Sequence, residues 1–202
     1  MAGYREAKTI YFRTPGAENT ADTLAAAFDR AIELGLGHVV VASSSGRTGL
    51  EAIKQARAKG YQGKLIVIGH HYGYDGPGKQ KMTPQTRQEL EKNGAQVFIG
   101  THIMASITRS FRQKWQGISM LEVVAETLRR VSSGAKVCVE ITIMAADAGL
   151  IPVDQDVVAV AGRGGGADCA VVIRPANMNS FFNLKFREII ALSQLGDEEI
   201  KG

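Results

Sequence analysis

Four short apolar runs, at residues 9–12, 39–42, 65–68 and 97–99, alternate with segments of helical spacing. Leu24, Phe28, Ala31 and Ile32 recur at helical intervals before Gly35. Leu50, Ile53 and Ala56 begin a second helix that stops at Gly60, and Thr83–Pro84 opens a third that ends at Gly94. Each connection is long enough to bring the next strand back parallel to the last, which predicts an open parallel sheet covered by helices.

The rest of the chain follows a different rhythm. Residues 103–151 are mostly helical in pattern, and Ser119 and Glu122 have the spacing of a capping box. The stretch KVCVEITIMAADAGLIP is ambiguous. Val137, Val139, Ile141 and Ile143 alternate as a strand would, whereas Val137, Ile141, Met144, Ala145 and Ala148 fit a helix ended by Gly149. Residues 157–161 and 170–173 read as two strands joined by a loop short enough to require antiparallel pairing. The form of the terminal segment SFFNLKFREIIAL stays open.

Composition narrows the class. The 202 residues are 45% hydrophobic and 22% charged, with a net charge of +4, ordinary for one soluble globular domain. Basic residues are spread out and do not interleave with aromatics, so no nucleic-acid partner is expected. No segment has the run of about 18 apolar residues that a membrane span needs, and MAGYREAKTI lacks a signal-peptide core. Cys138 and Cys169 lack CxxC spacing and read as reduced core residues. A cytoplasmic protein without a membrane partner is the expectation.

In an open α/β sheet, ligands bind at the carboxyl ends of the parallel strands. Those ends carry Ser43, Ser44, Ser45, Gly46, Arg47 and Thr48; Gly69, His70 and His71; and Gly100, Thr101 and His102. The later loop GRGGGAD adds Arg163, Gly164, Gly165 and Gly166. The serine loop leads into a helix N-terminus, whose unpaired N–H groups suit phosphate. Gly46 would let the backbone approach the ligand. Arg47 opposes the helix macrodipole unless an anion is bound, although a serine-capped turn with a solvated arginine is the plain alternative. Consecutive glycines form either an anion nest or a flexible hairpin loop. His70 or His71 would contact the ligand, or else pack or face solvent. Asp147 reads as a helix-end carboxylate. No metal-ligand spacing, catalytic triad, Walker motif or dinucleotide fingerprint is present, so no metal is expected and no catalytic residue is assigned.

NTADTLAAAFDRAIELGLGHVVVASSSGRTGLEAIKQAR resembles the start of the pyruvate kinase C-terminal domain, and AGLIPVDQDVVAVAGRGGGADCAVVIRP resembles its end. In those kinases both loops can hold a phosphorylated effector. The resemblance implies that Ser43, Ser45, Gly46, Arg47 and Thr48 grip phosphate while Gly164, Gly165 and Gly166 close over it. These 202 residues hold no counterpart of the kinase's catalytic barrel, so pyruvate kinase activity is not expected of them. PGAENT, GTH, VAETLRRVSSGAKVCVEITIMAADAGLIP and VIRPANMNSFFNLKFREIIAL further resemble a family of small stand-alone proteins with a pyruvate kinase C-terminal domain-like fold, whose biochemical role is uncharacterised.

That family resemblance implies a helix for the ambiguous stretch and a bound flavin mononucleotide (FMN). It also implies a three-layer α/β fold: a mainly parallel sheet with an antiparallel edge strand. Self-association is expected of such a family, and nothing in the sequence marks the interface. The expected function is binding of a phosphorylated small molecule, FMN first. The alternatives are a flavin-dependent oxidoreductase and a phosphosugar- or metabolite-sensing module.

Overall fold

In the computed structural model, residues 3–104 and 106–193 are described. Seven strands form one sheet: β1 (Ile10–Phe12), β2 (His38–Ala42), β3 (Lys64–His70), β4 (Gln96–Gly100), β5 (Val157–Ala161), β6 (Cys169–Arg174) and β7 (Lys185–Ser193). Their order is β1-β7-β6-β5-β2-β3-β4. All pairings are parallel except those of β6, which runs against both β5 and β7. The mainly parallel α/β sheet is thus as expected, with its reversal toward one side.

The helices are α1 (Thr20–Glu33), α2 (Arg47–Lys59), α3 (Pro84–Lys92), α4 (Ser106–Trp115), α5 (Met120–Arg129) and α6 (Ser133–Asp147). They lie in two layers because strand side chains alternate between faces. Val39, Val41 and Val67 pack with Leu24 and Phe28 of α1, Ile53 of α2 and Leu90 of α3. Val40, Ile66 and Ile68 point the other way, into a second core with Val139, Ile143 and Met144 of α6.

Local signals match the termini. Thr83 Oγ1 accepts from the Thr86 N–H with Pro84 at the first helical position, and Ser119 and Glu122 form the reciprocal capping box. Residues 133–147 are the helix that the family resemblance implies, and Ser132 caps it through the Ala135 N–H. Its pattern is blurred because α6 is buried on nearly every side: only Ser133, Val137 and Asp147 are not buried. The open terminal segment becomes a short 3-10 stretch (Met178–Asn183) and then β7, which receives β1 in parallel. Cys138 and Cys169 are free and fully buried. No helix among the described residues is long and apolar enough to cross a membrane.

Candidate functional site

Two loops distant in sequence meet because β2 and β5 are neighbours. The first, Ser43–Gly46, ends β2 and starts α2. The Ser43 N–H donates to the Ile68 carbonyl (2.9 Å), which extends the β2–β3 ladder by one residue. Ser43 Oγ, buried, accepts from the Gly49 N–H at 3.1 Å. Gly46 stands at the helix N-cap with φ +92°, and no side chain caps the helix there. The remaining first-turn N–H groups lack an i−4 carbonyl, as at any helix start.

The second loop, Gly162–Ala167, joins β5 to β6. Its far side is anchored to α1: the Ala167 N–H donates to Thr20 Oγ1 (3.0 Å), and Thr23 Oγ1 donates to the Ala167 carbonyl (3.2 Å). Asp168 accepts from the Gly16 N–H at 3.1 Å. Burial raises the Asp168 carboxyl above its usual range, against the opposing pull of backbone donors at Gly16 and Arg163. A Cβ at Gly166 would come within 2.4 Å of the Ala17 Cα, and one at Gly165 within 3.1 Å of Arg47 Nη2. The glycines therefore allow the loop to lie tightly on α1 on one side and beside the Arg47 guanidinium on the other.

Between the loops lies a cleft of about 540 Å³. Ser43, Ser44, Ser45 and Thr48 line it, with Gly162–Gly166 across from them and His70 and His102 from the ends of β3 and beyond β4. Six residues of the predicted strand ends are absent from its wall: Gly46, Arg47, Gly69, His71, Gly100 and Thr101. Gly46 lets α2 pack against α3, since a Cβ there would lie 2.2 Å from Thr86 Cγ2. Gly69 is buried against Ile99 and Met82, Thr101 is exposed, and Arg47 is exposed at the rim beside Gly165. His71 touches the site indirectly, through ring contacts with Tyr74 and His102 at 5.8 and 5.7 Å.

The floor holds groups that the sequence did not announce. Lys136 and Glu140, one turn apart on α6, are 5% and 2% exposed and pair at 2.5 Å. Glu140 Oε1 also accepts from the Met104 N–H (3.0 Å), and Oε2 lies 3.9 Å from His102 Nδ1. Burial pushes the His102 imidazole down to about 4, outweighing the pull of the Glu140 carboxylate, so it is neutral near pH 7. His70 is lowered by burial as well. The rings of His70 and Tyr74 lie 4.0 Å apart, those of His70 and His102 4.7 Å, and the Arg109 guanidinium stands over Tyr74 at 5.1 Å.

Apolar surface from Ala42, Ile68, Met104, Val137 and Ile141 completes the wall. The rim is cationic, with Lys81, Arg109, Arg112, Arg129 and Arg163, offset by Glu122 and Glu126. The only sequence sign of the floor pair was a lysine and a glutamate four residues apart in an otherwise apolar helix. Among the described residues, no group of three or more His, Cys, Asp or Glu side chains is placed to hold a metal ion.

No protein-family model matches the chain. Among solved structures, it is similar to a pyruvate kinase from Cryptosporidium parvum, at TM-score 0.40 and 12% identity, over 75% of this chain and 22% of that one. It is also similar to Cryptosporidium parvum pyruvate kinase in complex with ADP, at TM-score 0.35 and 14% identity, over 83% and 23% of the two chains. The chain thus spans less than a quarter of the length of either kinase.

Proposed function

We propose that the cleft binds a phosphorylated small molecule, and that the molecule is flavin mononucleotide. The observation that carries the phosphate end is the convergence of a helix N-terminus whose N-cap is a glycine, three serines and a glycine loop on one cleft, with Arg47 and Arg163 beside it. Such a helix start favours an anion through its free N–H groups and its dipole.

The residues present also fit a flat ring. The cleft also offers apolar side chains (Ile68, Val137, Ile141) and the Tyr74 and His70 rings, beside the buried Lys136–Glu140 pair. The volume falls within the range of about 300–1,000 Å³ usual for small-molecule sites. Ser45 and Thr48 would hold the phosphate and Arg47 would neutralise it. Flavin bound there would supply electron transfer. A flavin-dependent oxidoreductase is the second reading, favoured by the neutral His102, which would hold or pass a proton beside the ring.

The test is a visible absorption spectrum of freshly purified protein, with mass analysis of what heating releases. Flavin bands and released FMN are expected. Arg47→Ala and Thr48→Ala should each weaken FMN binding by roughly tenfold to a hundredfold, the usual weight of a hydrogen bond to a charged group. Unchanged affinity in both variants overturns the phosphate assignment. Colourless protein that refuses added FMN overturns the flavin and leaves a metabolite-sensing site. Reduction of bound flavin by NADH or NADPH, coupled to an acceptor, is the readout for the oxidoreductase.

A further inference from the structure

The protein meets the two charges at the cleft floor unequally. Glu140 accepts from Lys136 Nζ at one carboxylate oxygen and from the Met104 N–H at the other. An ammonium carries three donors, and among the described residues the one hydrogen-bond partner of Lys136 Nζ is Glu140. Two donors are therefore left on a side chain that is almost wholly buried yet lines the cleft. Buried polar groups nearly always have a partner, so such an exception needs an explanation. Two further buried atoms without a partner belong to residues of the same wall: Thr108 Oγ1 on α4 and His70 Nδ1 at the end of β3.

Position and charge define what would satisfy them. Helix α6 packs on the face of the sheet opposite α2, so Lys136 reaches the cleft from a different layer than the helix that follows the serine loop. Glu140 already balances the Lys136 charge, and burial keeps His102 neutral. An anion on the ammonium would give this desolvated floor a net negative charge, whereas a neutral oxygen takes the donors without that penalty. The rim residues Arg109 and Arg112 are exposed, so solvent screens what they could offset. Resting on the reading of the cleft as a site for a phosphorylated small molecule, we propose that Lys136, with the Thr108 hydroxyl as a second contact, binds a neutral carbonyl oxygen of the ligand. The class this cleft takes is then phosphates that carry an amide-, imide- or ketone-type carbonyl. FMN belongs to it through its ring carbonyls; sugar phosphates in cyclic form do not.

The test titrates FMN and riboflavin, which lacks the phosphate, by quenching of flavin fluorescence. Lys136→Met/Glu140→Gln removes both charges together and keeps an acceptor for the Met104 N–H, and circular dichroism and urea unfolding verify its fold. It should bind both flavins more weakly by the same factor, at least about tenfold, whereas Arg47→Ala should act on FMN alone. Thr108→Val removes one hydroxyl without touching α6 and should weaken both flavins about threefold, which keeps the test decisive if the double variant does not fold. In infrared difference spectra, a carbonyl stretch of the bound flavin should lie at lower frequency in wild type than in either variant. A folded double variant of unchanged flavin affinity overturns the contact and leaves the phosphate reading in place. A loss confined to FMN also overturns it, since the floor would then act through the phosphate. Wild-type protein that binds neither flavin overturns the flavin reading and this contact together.

Discussion

Lys136 Nζ lies 2.5 Å from Glu140 Oε2, one turn apart on α6, with both side chains at the floor of the cleft and almost wholly withdrawn from water. A buried pair contributes little net stability, yet losing one partner strands the other charge. Lys136→Met alone should therefore cost about 3–5 kcal/mol in urea unfolding. The double variant Lys136→Met/Glu140→Gln should recover most of that, because the glutamine oxygen still accepts the Met104 N–H. A double variant as unstable as the single one would show that the pair itself is what holds α6.

His102 should make stability depend on pH. Its folded pKa, about 4, lies below the usual 6.5, so the unfolded chain binds more protons between these values. Stability is then full above pH 6.5 and falls as pH drops toward 4, by up to about 3 kcal/mol. Asp168, raised by burial, has the opposite sign, so the informative quantity is the difference between wild type and His102→Gln. Urea midpoints at pH 7 and pH 4.5 should differ less in His102→Gln than in wild type.

Gly46→Ala joins two separable penalties. The left-handed φ of +92° costs roughly 1–2 kcal/mol for a residue with a Cβ. The new methyl also meets Thr86 Cγ2. Adding Thr86→Ser removes that methyl and should restore part of the lost thermal stability, leaving the backbone component. No recovery would mean that the α2–α3 contact had already adjusted.

Ser132→Ala removes the buried cap of α6, whose Oγ accepts from the Ala135 N–H at 2.9 Å. The expected loss is about 1–2 kcal/mol by denaturation. Since α6 carries Lys136 and Glu140, hydrogen exchange should also quicken in its first two turns.

The alternation of strands and helices was legible because each outer helix keeps one apolar stripe and each strand one short apolar run. Thr83, Ser119 and the αL glycine at Gly60 marked ends correctly, since caps are local chemistry. Periodicity failed for α6, where burial on nearly every side erases the stripe, and for β7, whose exposed first half (Lys185, Phe186, Arg187) breaks the apolar run of a core strand. The two site loops could be found because glycine and serine clusters at strand ends are unusual. Lys136, Glu140, Tyr74 and Arg109 could not, since their convergence depends on how α4, α6 and the 71–81 loop pack over the sheet. At Gly46 the missing Cβ also has a use in packing that only the position of Thr86 reveals.

The adjacency of β2 and β5 also bears on when the cleft comes into being. The serine loop is made early in the chain and the glycine loop near its end, so neither is a half-site that a ligand could hold while the other is still unpaired. The cradle closes only after the central sheet has assembled across the long connection that runs through β3, β4 and five helices. A ligand held between the loops would act as a late clasp on that assembly. Its occupancy should slow exchange at Val40 and Ala159, in the middle of the sheet, as strongly as at the loops themselves.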